Sequence, residues 1–186
     1  TSVKPSGTVS LLAGATPGLH YPESRFYTRR VRLSKHSELI EPLQKAGYKL
    51  EPAFGSEDTT MVVEVPVDVG EGIRTASELS IWEQFSLAAF MQRHWADNQV
   101  SCTVTFDPKT EADEIAPALN YFQYHLKGIS LLPRHDYGAY KQMPYEAIDE
   151  KTYNSQIKKL GKLTFGVIKN EEAEIDKFCN NDSCEI

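Results

Sequence analysis

A helix-like stripe followed at once by a strictly alternating strand constrains this chain more than any other feature. From about Ser77 to Trp95, Leu79, Trp82, Phe85, Ala89 and Phe90 recur at helical spacing. Glu78 and Glu83 stand near the start and Arg93 and His94 near the end, the order that suits the helix dipole. Asn98 ends the run. Val100, Cys102, Val104 and Phe106 then alternate with Ser101, Thr103 and Thr105, which predicts a strand over 100–106 with one apolar face. A helix over 111–125 and a strand-like piece over 128–132 follow, so helix and strand alternate as in α/β packing.

The flanking sequence is less regular. Residues 59–67 are rich in β-branched side chains and predict another strand, and a short helix over 37–46 ends at Gly47. Residues 25–32 alternate loosely around Arg25, Arg29, Arg30 and Arg32, and a helix is expected within 153–160. Three good strands are too few to close a sheet in a chain of 186 residues, which suggests an incomplete unit. From Lys169 onward six acids face two lysines with almost no apolar residue, so residues 169–186 are expected to form a mobile tail after a folded part over 1–168.

Composition excludes several functions. Twenty Lys and Arg against 26 Asp and Glu give a net charge of −6, which repels polyanions and argues against a nucleic-acid polymer as partner. With 40% hydrophobic residues the chain can bury a core, yet no apolar run approaches the roughly 20 residues that span a bilayer. Residues 1–10 lack the basic-then-apolar pattern of a secretory leader, and three cysteines make no secreted disulfide framework, so a cytoplasmic setting is expected.

Two segments could carry chemistry. In the run from Pro5 to Ser10, Gly7 lets backbone approach an anion, Ser6, Thr8 and Ser10 offer hydroxyls, and a short helix would follow. The frame of a P-loop is missing, and a serine-capped helix explains the same residues. Cys179 and Cys184 form a C-x4-C pair in the polar tail. A cytosolic pair able to close is redox-active or metal-binding more often than structural, and no Cys or His lies nearby upstream to complete a zinc site. Cys102 invites a radical or nucleophilic role, but its alternation with Val100, Val104 and Phe106 marks a core thiol. His20, His36, His94, His125 and His135 show no ligand spacing and are expected to be structural or on the surface.

Taken in order, several phrases resemble one family. Val3 to Ser10, with Gly14 and Pro17-Gly18 after it, resembles the substrate-phosphate loop of adenosylcobalamin-dependent (class II) ribonucleotide reductases. Glu83-Gln84-Phe85, the run Trp95 to Phe106, Ser130 to Pro133 and Ile148 to Tyr153 continue the likeness, which is nearest to the monomeric ribonucleoside-triphosphate type. The terminal C-x4-C resembles that family's shuttle pair.

The resemblance implies the C-terminal portion of a ten-stranded α/β barrel. The radical cysteine and effector site would lie on a preceding stretch, so a partner chain would be needed for activity. It also implies adenosylcobalamin in the assembled enzyme and ribonucleoside triphosphates, or diphosphates, as substrates. Ser6, Gly7, Thr8, Val9 and Ser10 would hold the substrate phosphates. Cys179 and Cys184 would carry electrons from a thioredoxin-like reductant. The competing expectation is a non-catalytic phosphate-binding or regulatory module left from a split reductase gene, which would have no use for the terminal cysteine pair.

Overall fold

The computed structural model describes residues 1–7, 9–134 and 141–165. In chain order it forms β1 (Phe26–Ser34), α1 (Ile40–Lys45), β2 (Lys49–Pro52), β3 (Thr60–Asp68), α2 (Ile81–His94), β4 (Thr103–Phe106), α3 (Ile115–Phe122), β5 (Ser130–Pro133), β6 (Tyr145–Ala147) and α4 (Glu150–Ile157). Short 3-10 turns at Val9–Ala13, Ala76–Glu78 and Ala112–Glu114 complete the regular structure. These elements divide into two compact units, one within Thr1–Ser24 and Val69–Tyr137, the other within Arg25–Asp68 and Gly138–Ile186. The fold is mixed α/β, and the described residues close no barrel.

In the first unit, β4, α3 and β5 make a parallel strand–helix–strand crossover, with Thr103 opposite Ser130 and Phe106 opposite Pro133. A parallel bridge joins Val3 to Val100. The alternation read from sequence holds, because Val100, Cys102, Val104 and Phe106 are all buried. Val104 and Phe106 pack under α2 and α3 through Ile81, Phe85, Ala118 and Phe122, with the Phe85 and Phe122 rings stacked at 5.4 Å, while Val100 and Cys102 pack against Ala88 and Ala96. α2 starts four residues later than the stripe suggested. Ser80 Oγ accepts from the Glu83 N–H at 3.2 Å while the Glu83 carboxylate accepts from the Ser80 N–H, a reciprocal cap that fixes the first turn. Phe90, expected in the core, is 58% exposed. The buried line runs Ile81, Phe85, Ala88, and Phe90 lies well round the helix from it.

The second unit is a four-stranded antiparallel sheet in the order β2-β3-β1-β6. Among the described residues six strands are present where three were expected. The longest strand beyond those three is β1, read from sequence only as a loose alternation, and its Arg29 and Arg30 find partners across the sheet. Arg30 sits opposite Glu64 and bonds it at 2.9 Å, and it also pairs with Glu146 on β6. Arg29 is buried with its guanidinium 4.4 Å from the Tyr145 ring centroid. Leu33, Leu43 and Val63 form the apolar face together with Val31, Ile40, Tyr48, Leu50 and Val65, so α1 covers the sheet there. Gly47, at φ +84°, turns the chain from α1 into β2, and a Cβ there would stand 2.8 Å from Lys159 O.

Candidate functional site

The expected phosphate loop leaves the sheet of the first unit at its edge. Gly7 adopts φ +63° with nothing within 4 Å of where a Cβ would sit, so its conformation rather than crowding calls for glycine. Ser6 and Gly7 are exposed, Val9 is 66% exposed, and the 3-10 turn Val9–Ala13 follows. Ser6 caps that turn: its Oγ accepts from the Ser10 N–H at 3.2 Å and its carbonyl from the Val9 N–H at 3.3 Å. The structure thus brings Ser6, Val9 and Ser10 together as the serine-cap reading expects. Ser10 Oγ differs, being buried with no hydrogen-bond partner among the described residues. Thr8, Cys179 and Cys184 lie outside the described residues.

Near the loop the sheet edge is closed by side chains that sequence reading did not single out. The Thr103 N–H donates to His20 Nε2 at 3.1 Å. Thr105 N–H donates to Gln84 Oε1 at 2.9 Å, and Gln84 Nε2 donates back to Thr105 O at 2.8 Å. A primary amide facing a strand therefore copies the pairing of a neighbouring strand. The available signal was a polar glutamine between Trp82 and Phe85 and the strand-facing side of α2.

At the C-terminal ends of β4 and β5 a second cluster forms. Glu111 accepts from Ile81 N–H at 3.0 Å, Asp107 N–H at 2.8 Å and Arg134 Nη2 at 3.0 Å. Arg134 Nη1 donates to Ala76 O at 3.2 Å and Thr105 O at 3.1 Å. One ion pair thus ties both strand ends to the start of α2. The Lys109 N–H, bonded at 2.8 Å, holds the Asp107 carboxyl below the usual carboxylate range. Cys102 lies away from this chemistry, and burial pushes its thiol up to about 11, consistent with a core residue rather than a nucleophile.

Two concavities are large enough to consider as places for a cofactor. One, about 880 Å³, is lined by Asp149, Glu150, Lys151, Asn154 and Lys158; the other, about 540 Å³, by Phe85, Leu119, Phe122, Leu126 and Ile129. The first is walled by charged side chains and the second is small for a corrin with its nucleotide arms, so neither of these two concavities by itself fits cobalamin. Among them no three His, Cys, Asp or Glu side chains gather to hold a metal, and no helix is long and apolar enough to cross a membrane.

This combination, a parallel crossover unit with a glycine–serine loop at its edge and an antiparallel sheet, has a counterpart among solved enzymes. A crystal structure of a B12-dependent (class II) ribonucleotide reductase superposes with a TM-score of 0.74 at 37% identity, covering 87% of this chain and 23% of that one. The chain is a homologue of part of the class II reductases. Among curated relatives, the adenosylcobalamin-dependent ribonucleoside-triphosphate reductase of Euglena gracilis is 55% identical over 99% of this chain and 26% of its own length. That of Levilactobacillus brevis is 40% identical over 86% and 22%. The chain therefore spans about a quarter of the length of the curated relatives it matches. No protein-family model matches it.

Proposed function

We propose that this chain supplies the C-terminal portion of an adenosylcobalamin-dependent ribonucleoside-triphosphate reductase, forming part of its α/β barrel and working with a companion polypeptide that carries the remainder. The assembled enzyme would convert a ribonucleotide and a dithiol into a 2′-deoxyribonucleotide, a disulfide and water. When bound to the assembled enzyme, the cobalamin supplies the radical. This chain's own part is to bind and to return electrons. Ser6, Gly7, Thr8, Val9 and Ser10 hold the substrate phosphates through hydroxyls and N–H groups. Cys179 and Cys184 reduce the active-site disulfide by thiol–disulfide exchange, becoming a disulfide themselves, and a thioredoxin-like protein reduces them in turn. A reducing cytoplasm suits that traffic.

The observation that carries the binding half is the loop itself, where a positive-φ Gly7 stands near a buried Ser10 hydroxyl that has no hydrogen-bond partner among the described residues. The order of the matching phrases and the breadth of the homology support the rest. The test is reconstitution: the chain is co-expressed with the missing part of a homologous reductase, and deoxynucleotide formation is followed with and without cobalamin. Activity should need both polypeptides. Cys179→Ser with Cys184→Ser should abolish turnover driven by thioredoxin and spare turnover driven by a small dithiol that diffuses into the site. Full thioredoxin-driven turnover in that variant would remove the shuttle role, and no activity from any pairing would leave the phosphate-binding module as the better reading.

A further inference from the structure

His20 has a partner at each ring nitrogen. Nδ1 lies 2.9 Å from Pro17 O, and Nε2 accepts from the Thr103 N–H at 3.1 Å. A carbonyl only accepts and an amide N–H only donates, so both bonds coexist in one state alone, the neutral ring with its proton on Nδ1. The position of the ring is equally telling. Ser101 N–H donates to Val3 O at 2.9 Å, continuing the Val3–Val100 bridge. In a parallel ladder the next donor on that edge, Thr103 N–H, would meet the carbonyl of Pro5. The chain leaves the ladder there, and the imidazole of His20 takes the acceptor's place. Gly18, at φ +56°, closes the neck, since a Cβ on it would stand 3.3 Å from Pro5 N and Cα. The segment bearing Ser6, Gly7, Val9 and Ser10 is thus fastened at both ends to one edge of the β4 strand, at Ser101 through Val3 and at Thr103 through His20.

We propose that His20, as the Nδ1–H tautomer, is the positioning residue of this loop, holding Ser6, Gly7, Val9 and Ser10 against the sheet edge in the arrangement that receives a triphosphate. The ligand named here rests on the phosphate reading above; the fastening does not. His20 acts through Thr103 and Pro17 and needs no contact with the ligand. It also accounts for a histidine that the shuttle and phosphate roles leave unused.

The test is long-range proton–nitrogen correlation on the His20 ring in the full chain. Amide shifts of Val9 to Ala13 and a titration with inorganic tripolyphosphate are then compared in His20→Phe and His20→Gln. The ring should show the neutral Nδ1–H pattern. His20→Phe should displace the loop amide signals and weaken tripolyphosphate about tenfold, the scale of one lost hydrogen bond. His20→Gln, whose carbonyl can accept from Thr103 N–H, should recover binding to within about threefold of the unsubstituted chain. An Nε2–H or doubly protonated ring at neutral pH overturns the proposal, as does a His20→Phe chain with unchanged loop signals and affinity. Displaced loop signals with no tripolyphosphate binding by the unsubstituted chain would overturn the phosphate reading while upholding the anchor. Should His20→Phe fail to fold, the ring pattern and the Gln variant decide.

Discussion

Replacing Glu111 by alanine should expose how much the cluster at the strand ends contributes. Its carboxylate accepts three hydrogen bonds, from Ile81, Asp107 and Arg134, and the paired Glu111 and Arg134 side chains are only 16% and 20% exposed. Removing the carboxylate leaves a largely buried guanidinium facing two backbone carbonyls and leaves two N–H groups without their acceptor. Breaking one side of a fully buried pair costs about 3–5 kcal/mol, and the residual exposure lets water replace part of it, so Glu111→Ala should lose about 2–4 kcal/mol. Glu111→Gln keeps an acceptor but not the charge and should lose roughly half as much. Arg134→Met in the Glu111→Ala background should cost little more, because no cation is then left stranded, giving a coupling energy of about 2 kcal/mol. Urea unfolding read by the fluorescence of Trp82 and Trp95 and by far-UV circular dichroism measures each corner of the cycle. A Glu111→Ala loss below about 1 kcal/mol, or a coupling near zero, would refute the claim that this pair ties the strands to α2.

Other outcomes follow from single sites. Phe85→Ala removes a fully buried ring stacked on Phe122 and should cost about 3–5 kcal/mol in the same assay; a loss under about 1 would mean the core repacks. Gly47→Ala forces a side chain into a left-handed turn and against Lys159 O, and should lower stability by about 1–3 kcal/mol; an unchanged urea midpoint would refute the crowding. With Cys179 and Cys184 replaced by serine, Cys102 should resist alkylation at pH 8, where a thiol of pKa about 11 is roughly a thousandth ionised, and react once urea unfolds the chain. Acid should destabilise the fold. Glu83 is held below its ordinary range by the Arg74 guanidinium and then by the Ser80 N–H, and Asp149 by the Thr152 hydroxyl and N–H. Carboxyls lowered by folding stabilise above their unfolded values near 4, and that contribution is lost as pH falls through the folded ones, so urea midpoints should drop from about pH 5 downward; a flat profile to pH 3 would contradict this.

What could be read from the sequence was set by how local the cause is. The burial of Val100, Cys102, Val104 and Phe106 follows from a two-residue period and was legible, whereas the Ser80–Glu83 cap, though its residues are three apart, was missed because the apolar stripe places the helix start at Ser77. β1 was obscured because the partners of Arg30 are far away in sequence, Glu64 on β3 and Glu146 on β6, and arginines without visible partners do not suggest a central strand. β6 spans only Tyr145–Ala147, too short for any period to register. The interleaving of the two units was hidden for the same reason, since each is completed by a return of the chain from the other. In the loop, Gly7 and Ser6 were visible as turn and cap. His20 was not, because its role depends on Thr103, which becomes its neighbour only after the sheet forms.

The side chains along β4 also bear on how the first unit could be extended. Ser130 N–H donates to Cys102 O and Arg134 N–H to Phe106 O, so the even-numbered positions of β4 face β5 and the odd-numbered ones face the opposite edge. Every odd position there has an acceptor already: Ser101 in Val3, Thr103 in His20 and Thr105 in Gln84. A further strand cannot pair with that edge beyond Val3 without displacing two side chains, which protects it against stray association. β5 has no such seal. It is an edge strand among the described residues, its Leu132 is 56% exposed, and the helices lie on the other face of the pair. If the unit belongs to a larger barrel, strands should therefore join through β5 or outside residues 1–3. Hydrogen exchange on the chain alone and with the remaining part of a homologous reductase should show new protection at Leu131 and none at Thr103 or Thr105, which are protected from the start; new protection confined to Thr103 and Thr105 would reverse the direction of growth.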